Sequence, residues 1–169
     1  GAVYFSSTGN VSNCNFTGNT ATGDSSYGGA IYIYSGTVTN CNFTDNSAYR
    51  GGAVYFYDEG TVTNCNFADN TAGDWGGAIM FVNTSTVSNC NFTGNNATDY
   101  GGAVYFNSYG TVSNCNFTDN HATCDGGAIW MGSGSVENCN FTGNTANRGG
   151  AVYFDSTGDV TNCNFTGNT

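Results

Sequence analysis

The most unusual chemical feature of the sequence is the spacing of its eight cysteines. Seven stand in the triplet Asn-Cys-Asn, which returns about every 25 residues, whereas Cys124 stands alone in the segment TCDGG. Structural zinc sites use close pairs such as Cys-x-x-Cys, and the sequence contains none. We therefore expect no metal site, and the role of the regular cysteines depends on how the repeat folds. They are Cys14, Cys41, Cys65, Cys90, Cys115, Cys139 and Cys163.

Acidic side chains offer a second chemistry. Asp45, Asp69 and Asp119 share one position of the repeat, but glycine takes that position elsewhere, as at Gly94. Glycoside hydrolysis needs two carboxyl groups in one shaped site, and Ca²⁺ needs several oxygen ligands. Only Asp45 and Asp69 fall in consecutive repeats, so we expect no cofactor, with Ca²⁺ as the less favoured alternative.

Basic residues for catalysis are few. Lyases of acidic polysaccharides need Lys or Arg as base and charge clamp, and this chain has only Arg50 and Arg148, at corresponding positions. The single histidine, His121, occupies a position that Thr or Ser fills in most repeats. We therefore expect a protein that is not an enzyme, with no catalytic residue. A polysaccharide-active enzyme is the less favoured alternative.

The triplet Asn-Phe-Thr, an acceptor sequence for N-glycosylation, recurs through the chain. In one repeat Asn66 persists although Ala68 replaces the threonine, so the asparagine has a role of its own. Stacked strands lie about 4.8 Å apart, too close for a glycan on every repeat. We favour a hydrogen-bonded ladder of asparagines, with partial glycosylation as the alternative. The candidate acceptors are Asn15, Asn42, Asn91, Asn116, Asn140 and Asn164.

Composition excludes two classes of partner. Two Lys+Arg face 12 Asp+Glu, for a net charge of −10. Nucleic acids and anionic membranes are bound through Lys and Arg, so we expect neither a nucleic-acid partner nor membrane insertion of this segment. The chain also has 12 Phe and 11 Tyr, and such aromatic content indicates a folded core rather than disorder.

The repeat itself indicates the fold. Units begin near residues 1, 29, 52, 77, 102, 127 and 150, and each contains segments like AVYF, TVT and CNFT separated by Gly, Asn, Ser and Asp. The β-branched and aromatic residues in short runs predict strands, and one unit cannot bury its own apolar face. We therefore predict an all-β fold. Residues 1–169 form a single parallel β-solenoid of seven coils, about 25 residues each, with three short strands per coil.

Alternation along the strands predicts which side chains face inward. In the third coil Val62, Cys65 and Phe67 should point into the core, and Thr61 and Asn66 outward. In AVYF-like segments the Val/Ile and Phe positions should be buried, and the Ala and Tyr positions exposed. The exposed row is an apolar stripe that we expect to pack on something else. Its members are Tyr4, Tyr32, Tyr55, Met80, Tyr105, Trp130 and Tyr153.

The same stacking makes a file of the seven regular cysteines. Parallel Cβ vectors about 4.8 Å apart exceed the 3.5–4.5 Å that disulfides prefer, so a file of buried free thiols is favoured over disulfides between adjacent coils. Cys124 has no counterpart in other coils and is the candidate for an intermolecular disulfide.

Two paired motifs give the sequence a family resemblance. Gly-Gly-Ala-Val/Ile, as at 51–54, is followed by Phe-x-x-Asn, as at 67–70, in all seven units, although the first has a single glycine. This pairing resembles the repeat of chlamydial polymorphic membrane proteins and of the adhesin-like surface proteins of methanogenic archaea. The resemblance implies a right-handed parallel β-helix, an extracellular or cell-surface location and an adhesive or envelope role.

These observations favour a structural cell-surface protein: a resilient fibre, sheath or adhesin stalk whose partner is another copy of itself, joined end to end or laterally. Since neither end has the polar cap typical of solenoids, we expect a fragment of a longer chain or a polymerising unit with uncapped ends. An adhesin that binds a surface glycan or protein through its outer face is the alternative. Less favoured is ice binding through outward Thr-x-Thr rows such as Thr37/Thr39 and Thr61/Thr63.

Overall fold

A computed structural model describes residues 1–169 as 21 β-strands that wind into seven stacked coils. All strand pairs are parallel, and each coil pairs with the next in register. No helix of the structure is long and apolar enough to cross a membrane. The predicted all-β parallel solenoid is confirmed.

The largest sheet contains the AVYF-like and TVT-like segments together. In four coils these two segments merge into one strand, and in the others a short bend separates them. The strands are β1 (Val3–Ser12), β3 (Ile31–Thr39), β6 (Val54–Phe56), β7 (Gly60–Thr63), β10 (Ile79–Phe81), β11 (Ser85–Ser88), β14 (Val104–Ser113), β17 (Ile129–Glu137), β19 (Val152–Phe154) and β20 (Gly158–Thr161).

The second sheet contains one three-residue Asn-Phe-Thr-type strand from each coil. Phenylalanine lies on phenylalanine from coil to coil, as Phe43 on Phe67 and Phe92 on Phe117. The strands are β2 (Asn15–Thr17), β4 (Asn42–Thr44), β8 (Asn66–Ala68), β12 (Asn91–Thr93), β15 (Asn116–Thr118), β18 (Asn140–Thr142) and β21 (Asn164–Thr166).

A third sheet of two-residue strands was not anticipated, since two residues give no alternation to recognise. Its inward residue is an alanine, fully buried at Ala72, Ala97 and Ala122. The strands are β5 (Ser47–Ala48), β9 (Thr71–Ala72), β13 (Asn96–Ala97) and β16 (His121–Ala122).

Two bends flank each Asn-Phe-Thr strand, and both require left-handed backbone. The asparagine before each regular cysteine has φ of 53–56°, as at Asn64 and Asn89, and asparagine tolerates this region better than most residues. After the strand the same conformation recurs at Asp69 (φ 55°) and at Gly94 (φ 64°). This shared geometry explains why aspartate and glycine exchange at the position: it selects residues that accept φ > 0.

The core is a continuous column of Val, Ile, Phe and Cys. Val62, Cys65 and Phe67 are at most 1% exposed, whereas Thr61 and Asn66 are exposed, as predicted. The alanine before each Val/Ile was predicted to face outward, and this is wrong: Ala53 is fully buried in the core. It lies in a bend before the strand, where two-residue alternation does not apply, and its carbonyl accepts the N–H groups of Ala30 and Ile31 at 2.9 and 3.0 Å.

Candidate functional site

The large residues that were predicted to face outward form a row, which we call the Tyr row. Other residues of the same chain cover the middle of this row. Tyr55, Met80 and Tyr105 are 3–6% exposed. They pack beneath a second row, which is formed by the residue that precedes each glycine pair and which we call the flanking row. The flanking row comprises Tyr27, Arg50, Trp75, Tyr100, Asp125 and Arg148. The apolar stripe that was expected to pack on another molecule therefore packs largely against residues of its own chain.

Aromatic stacking between the two rows is close. Tyr105 lies between Trp75, at 5.0 Å between ring centroids, and Trp130, at 4.4 Å, with interplanar angles of 17° and 9°. Burial raises the pKa of Tyr105 to about 12, as it does for Tyr55. Trp75, Tyr100 and Trp130 keep half-exposed surfaces, so the two rows together present an aromatic face to solvent.

Both arginines belong to this face, and neither is free. Arg50 Nε donates to Asp74 Oδ2 at 2.6 Å, while its guanidinium carbon lies 3.8 Å from the centroid of the Trp75 ring. Arg148 donates two hydrogen bonds to Asp125, at 2.7 and 2.6 Å, and the Asp125 side chain is 3% exposed. Each arginine therefore neutralises a buried carboxylate, a pairing that the sequence analysis did not predict.

At one end of the face the aromatic cover opens into a groove. Its volume is about 420 Å³, and its five lining residues are all tyrosines. Tyr4 there is 69% exposed, the largest exposure among the large apolar residues of the chain. The lining residues are Tyr4, Tyr27, Tyr32, Tyr55 and Tyr57.

The asparagines of the glycosylation triplets form an exposed ladder. Asn91 Nδ2 donates to Asn66 Oδ1 at 2.9 Å, and Asn66 Nδ2 donates to Asn42 Oδ1 at 2.8 Å. The chain of bonds runs unbroken from Asn164 to Asn15. Asn66, which has no acceptor triplet, is a full member, as the sequence argument for a ladder requires. The Nδ2 atom that would carry a glycan is therefore already a hydrogen-bond donor in the ladder.

A second asparagine ladder is buried, and the sequence argument assigned it no role. It is the last residue of each Phe-x-x-Asn motif. Asn95 Nδ2 donates to Asn120 Oδ1 at 3.0 Å and to the carbonyl of Phe67 at 3.1 Å, and Asn95 N–H donates to the same Oδ1. Buried amide groups need hydrogen-bond partners. The sequence signal for this ladder was that an asparagine recurs at a fixed offset after each buried phenylalanine.

The seven regular cysteines line the core as a file. The five inner ones are 1% exposed, and Cys14 and Cys163 are partly buried. All eight cysteines are free thiols, so the structure contains no disulfide. Cys124 lies apart, partly buried, with its N–H bonded to the carbonyl of Asp99 at 2.9 Å.

The remaining candidate residues are not brought together. His121 is exposed on β16, paired with Asn96 on one side and Thr145 on the other. No group of three or more His, Cys, Asp or Glu side chains converges on one point. The Thr-x-Thr positions do stack, with Thr61 beside Thr37 and Thr86, but their row includes Asn10, whose Oδ1 accepts from Thr37 at 2.8 Å.

Stacked parallel coils, in-register ladders and a continuous core define a parallel β-solenoid repeat protein. Residues 34–169 match the family described as the right-handed beta helix region, and the chain belongs to this family. Residues 13–34 match the Chlamydia polymorphic membrane protein repeat. Among curated proteins and solved structures no significant match was found. The predicted repeat family and right-handed β-helix are confirmed.

Proposed function

We propose that this chain is a load-bearing segment of a cell-surface protein, a fibre, sheath or adhesin stalk, that performs no catalysis. Similarity to the polymorphic membrane protein repeat supports a surface location and an adhesin-like class. The observation that carries the mechanical part is that each coil bonds to the next through backbone ladders and through two asparagine ladders. Force along the axis is therefore shared among several bonds at every coil boundary.

Electron microscopy of the protein with and without reductant tests the polymeric form of this proposal. We expect rods that associate under oxidising conditions and separate on reduction, and Cys124→Ser should abolish the reductant-sensitive association. Discrete monomers in both conditions would rule out the fibre and sheath forms. The stalk form is tested separately by pulling single molecules between their termini: coils should yield in steps rather than by collapse of the whole rod.

A second candidate function is glycan binding at the aromatic face. It is favoured by one observation: Trp130 and Tyr100, 6.1 Å apart between ring centroids, are half-exposed beside the Arg148–Asp125 ion pair. Sugars bind proteins through their apolar ring faces on aromatic side chains and through hydrogen bonds to charged groups. A glycan array should show binding that Trp130→Ala removes. The matched control is Tyr109→Ala, since Tyr109 is 46% exposed outside the aromatic face.

A further inference from the structure

The cysteine file has a regular bonding pattern. The N–H of each regular cysteine donates to the Sγ atom of the cysteine in the next coil at 3.4 Å, six times in succession. Each thiol in turn lies 3.1–3.3 Å from the carbonyl oxygen two residues earlier in its own coil. The sulfurs from Cys41 to Cys163 therefore occupy equivalent positions, each fixed by the backbone of two coils, whereas Cys14 at the end of the file lacks the N–H donor.

The distance between neighbouring sulfurs follows from the coil spacing. Two residues after each cysteine, the phenylalanine rings stack at 4.7–5.0 Å between centroids, with interplanar angles of 2–5°. The cysteines belong to the same in-register turn, so their sulfurs repeat at nearly this distance. A zinc–thiolate bond is about 2.3 Å long, and two bonds of similar length in a straight line span about 4.6 Å. The gap in the file matches two such bonds in a straight line.

The file restricts which cation fits. No third His, Cys, Asp or Glu side chain converges on a point between two sulfurs, and zinc requires four ligands in a tetrahedron. Soft thiolate ligands select Cu(I), which has a filled d shell and accepts two ligands in a line. The geometry therefore excludes zinc from the file and suits a soft monovalent cation.

The thiol protons are not shared between coils. Each regular thiol donates to the carbonyl oxygen two residues earlier in its own coil, and no sulfur-to-sulfur hydrogen bond occupies the gap. A cation that enters between two sulfurs therefore displaces one proton from each of them.

We propose that the cysteine file binds Cu(I), each ion held in a line between the Sγ atoms of two adjacent coils. Each ion displaces two thiol protons to solvent and forms two Cu–S bonds, and no electron is transferred. The backbone N–H that already points at the sulfur, in every regular cysteine except Cys14, stabilises the thiolate formed. This site is independent of the proposed mechanical function.

The direction of bonds at sulfur sets the stoichiometry. A thiolate sulfur carries its bonds near right angles to one another, so a sulfur bonded to an ion above it cannot hold another directly below. Ions therefore occupy every second gap, and seven sulfurs hold three ions with one thiol left over. Each ion would bridge two coils through the core, close to a fully buried column of phenylalanines.

Silver(I), which has the same electron configuration and is redox-silent, provides the probe. Cys124→Ser protein, which removes the thiol outside the file, is loaded with Ag(I) both as folded protein and during refolding, and native mass spectrometry counts the ions. We expect three. Incorporation of no ion by either route, or seven ions, one for each thiol, overturns the proposal.

Paired binding also predicts a parity effect in single variants of that background. Cys90→Ser leaves three sulfurs on each side, so the count should fall to two. Cys115→Ser leaves four and two, so the count should stay at three although the same number of thiols was removed. If Cys90→Ser or Cys115→Ser does not fold, Cys41→Ser and Cys65→Ser provide the same comparison. The expected counts are two ions for Cys41→Ser and three for Cys65→Ser. An equal decrease in both members of a pair overturns the linear two-sulfur site.

Discussion

Asn70 Nδ2 donates to Asn95 Oδ1 at 3.0 Å, and both side chains are fully buried. Asn70 N–H donates to the same oxygen at 3.1 Å, so one amide oxygen satisfies two donors from the coil before it. The Phe-x-x-Asn half of the repeat is therefore a structural device: the phenylalanine fills the core and the asparagine joins it to the next coil.

Asn95→Ala should cost about 2–4 kcal/mol of unfolding free energy, because two donors of Asn70 and the carbonyl of Phe67 lose their buried partner. Urea denaturation measures the change. Asn91→Ala is the matched control in the same coil: it removes a rung of the exposed ladder, where water replaces the lost bonds, and should cost less than about 1 kcal/mol. Equal costs for the two substitutions would contradict this assignment.

Gly77→Ala should destabilise the solenoid by about 3 kcal/mol or more. A Cβ atom there would lie 1.9 Å from the carbonyl oxygen of Gly102 in the next coil, and neither backbone can retreat without breaking the stack. Thermal unfolding followed by circular dichroism measures the loss. Gly73→Ala is the control, because its Cβ would lie 3.4 Å from the Tyr49 ring in ordinary contact, and it should change stability by less than about 1 kcal/mol.

Arg50→Ala should cost about 2 kcal/mol, since Asp74, whose side chain is 8% exposed, is left without its counter-ion, and the Trp75 ring loses its cation. The control is a double-mutant cycle with Asp74→Asn. With the charge of Asp74 removed, the further loss on replacing Arg50 should fall well below its value in the parent protein. Additive losses would mean that the ion pair contributes nothing.

Asp99 makes stability depend on pH. Burial, followed by the neighbouring Asp74 carboxyl, raises the pKa of Asp99 in the folded protein above its unfolded value. The folded state therefore gains stability relative to the unfolded state as pH falls through the raised pKa towards about 3.9. Asp99→Asn removes this term.

Urea titrations between pH 7 and pH 4 measure the effect. Asp99→Asn should be more stable than the parent near pH 7, and the advantage should shrink as pH falls. In an Asp74→Asn background the pH dependence should be smaller yet still present, because burial, the larger cause, remains. An advantage that grows towards low pH would show that the pKa of Asp99 is lowered.

Most of the fold was predictable because every coil repeats the same constraints. Alternation placed Val62, Cys65 and Phe67 correctly, since strand geometry alone decides their direction. It failed at Ala53, which precedes the strand and follows the geometry of a bend. The register of strand pairing was predictable from the repeat alone, because each motif pairs with the same motif in the next coil.

The candidate site was less predictable. The sequence marked the Tyr row as a large apolar surface, but not that Trp75 and Tyr100 would fold back over it, because the path of the loop before each glycine pair depends on tertiary packing. The ion pairs of Arg50 and Arg148 were missed for the same reason: each arginine binds an aspartate about one coil away in sequence. The buried asparagine ladder had a visible signal, constant spacing from a core phenylalanine.

The two asparagine ladders donate in opposite directions. In the exposed ladder each Nδ2 bonds to the preceding coil, as Asn42 to Asn15, whereas in the buried ladder each bonds to the following coil, as Asn46 to Asn70. Each ladder is thus a head-to-tail column of amide dipoles in which every bond polarises the next. Since the two columns point in opposite directions, their dipole moments oppose each other. The rod therefore gains cooperative polarisation along its length, but these side chains do not give it a strongly positive and a strongly negative end.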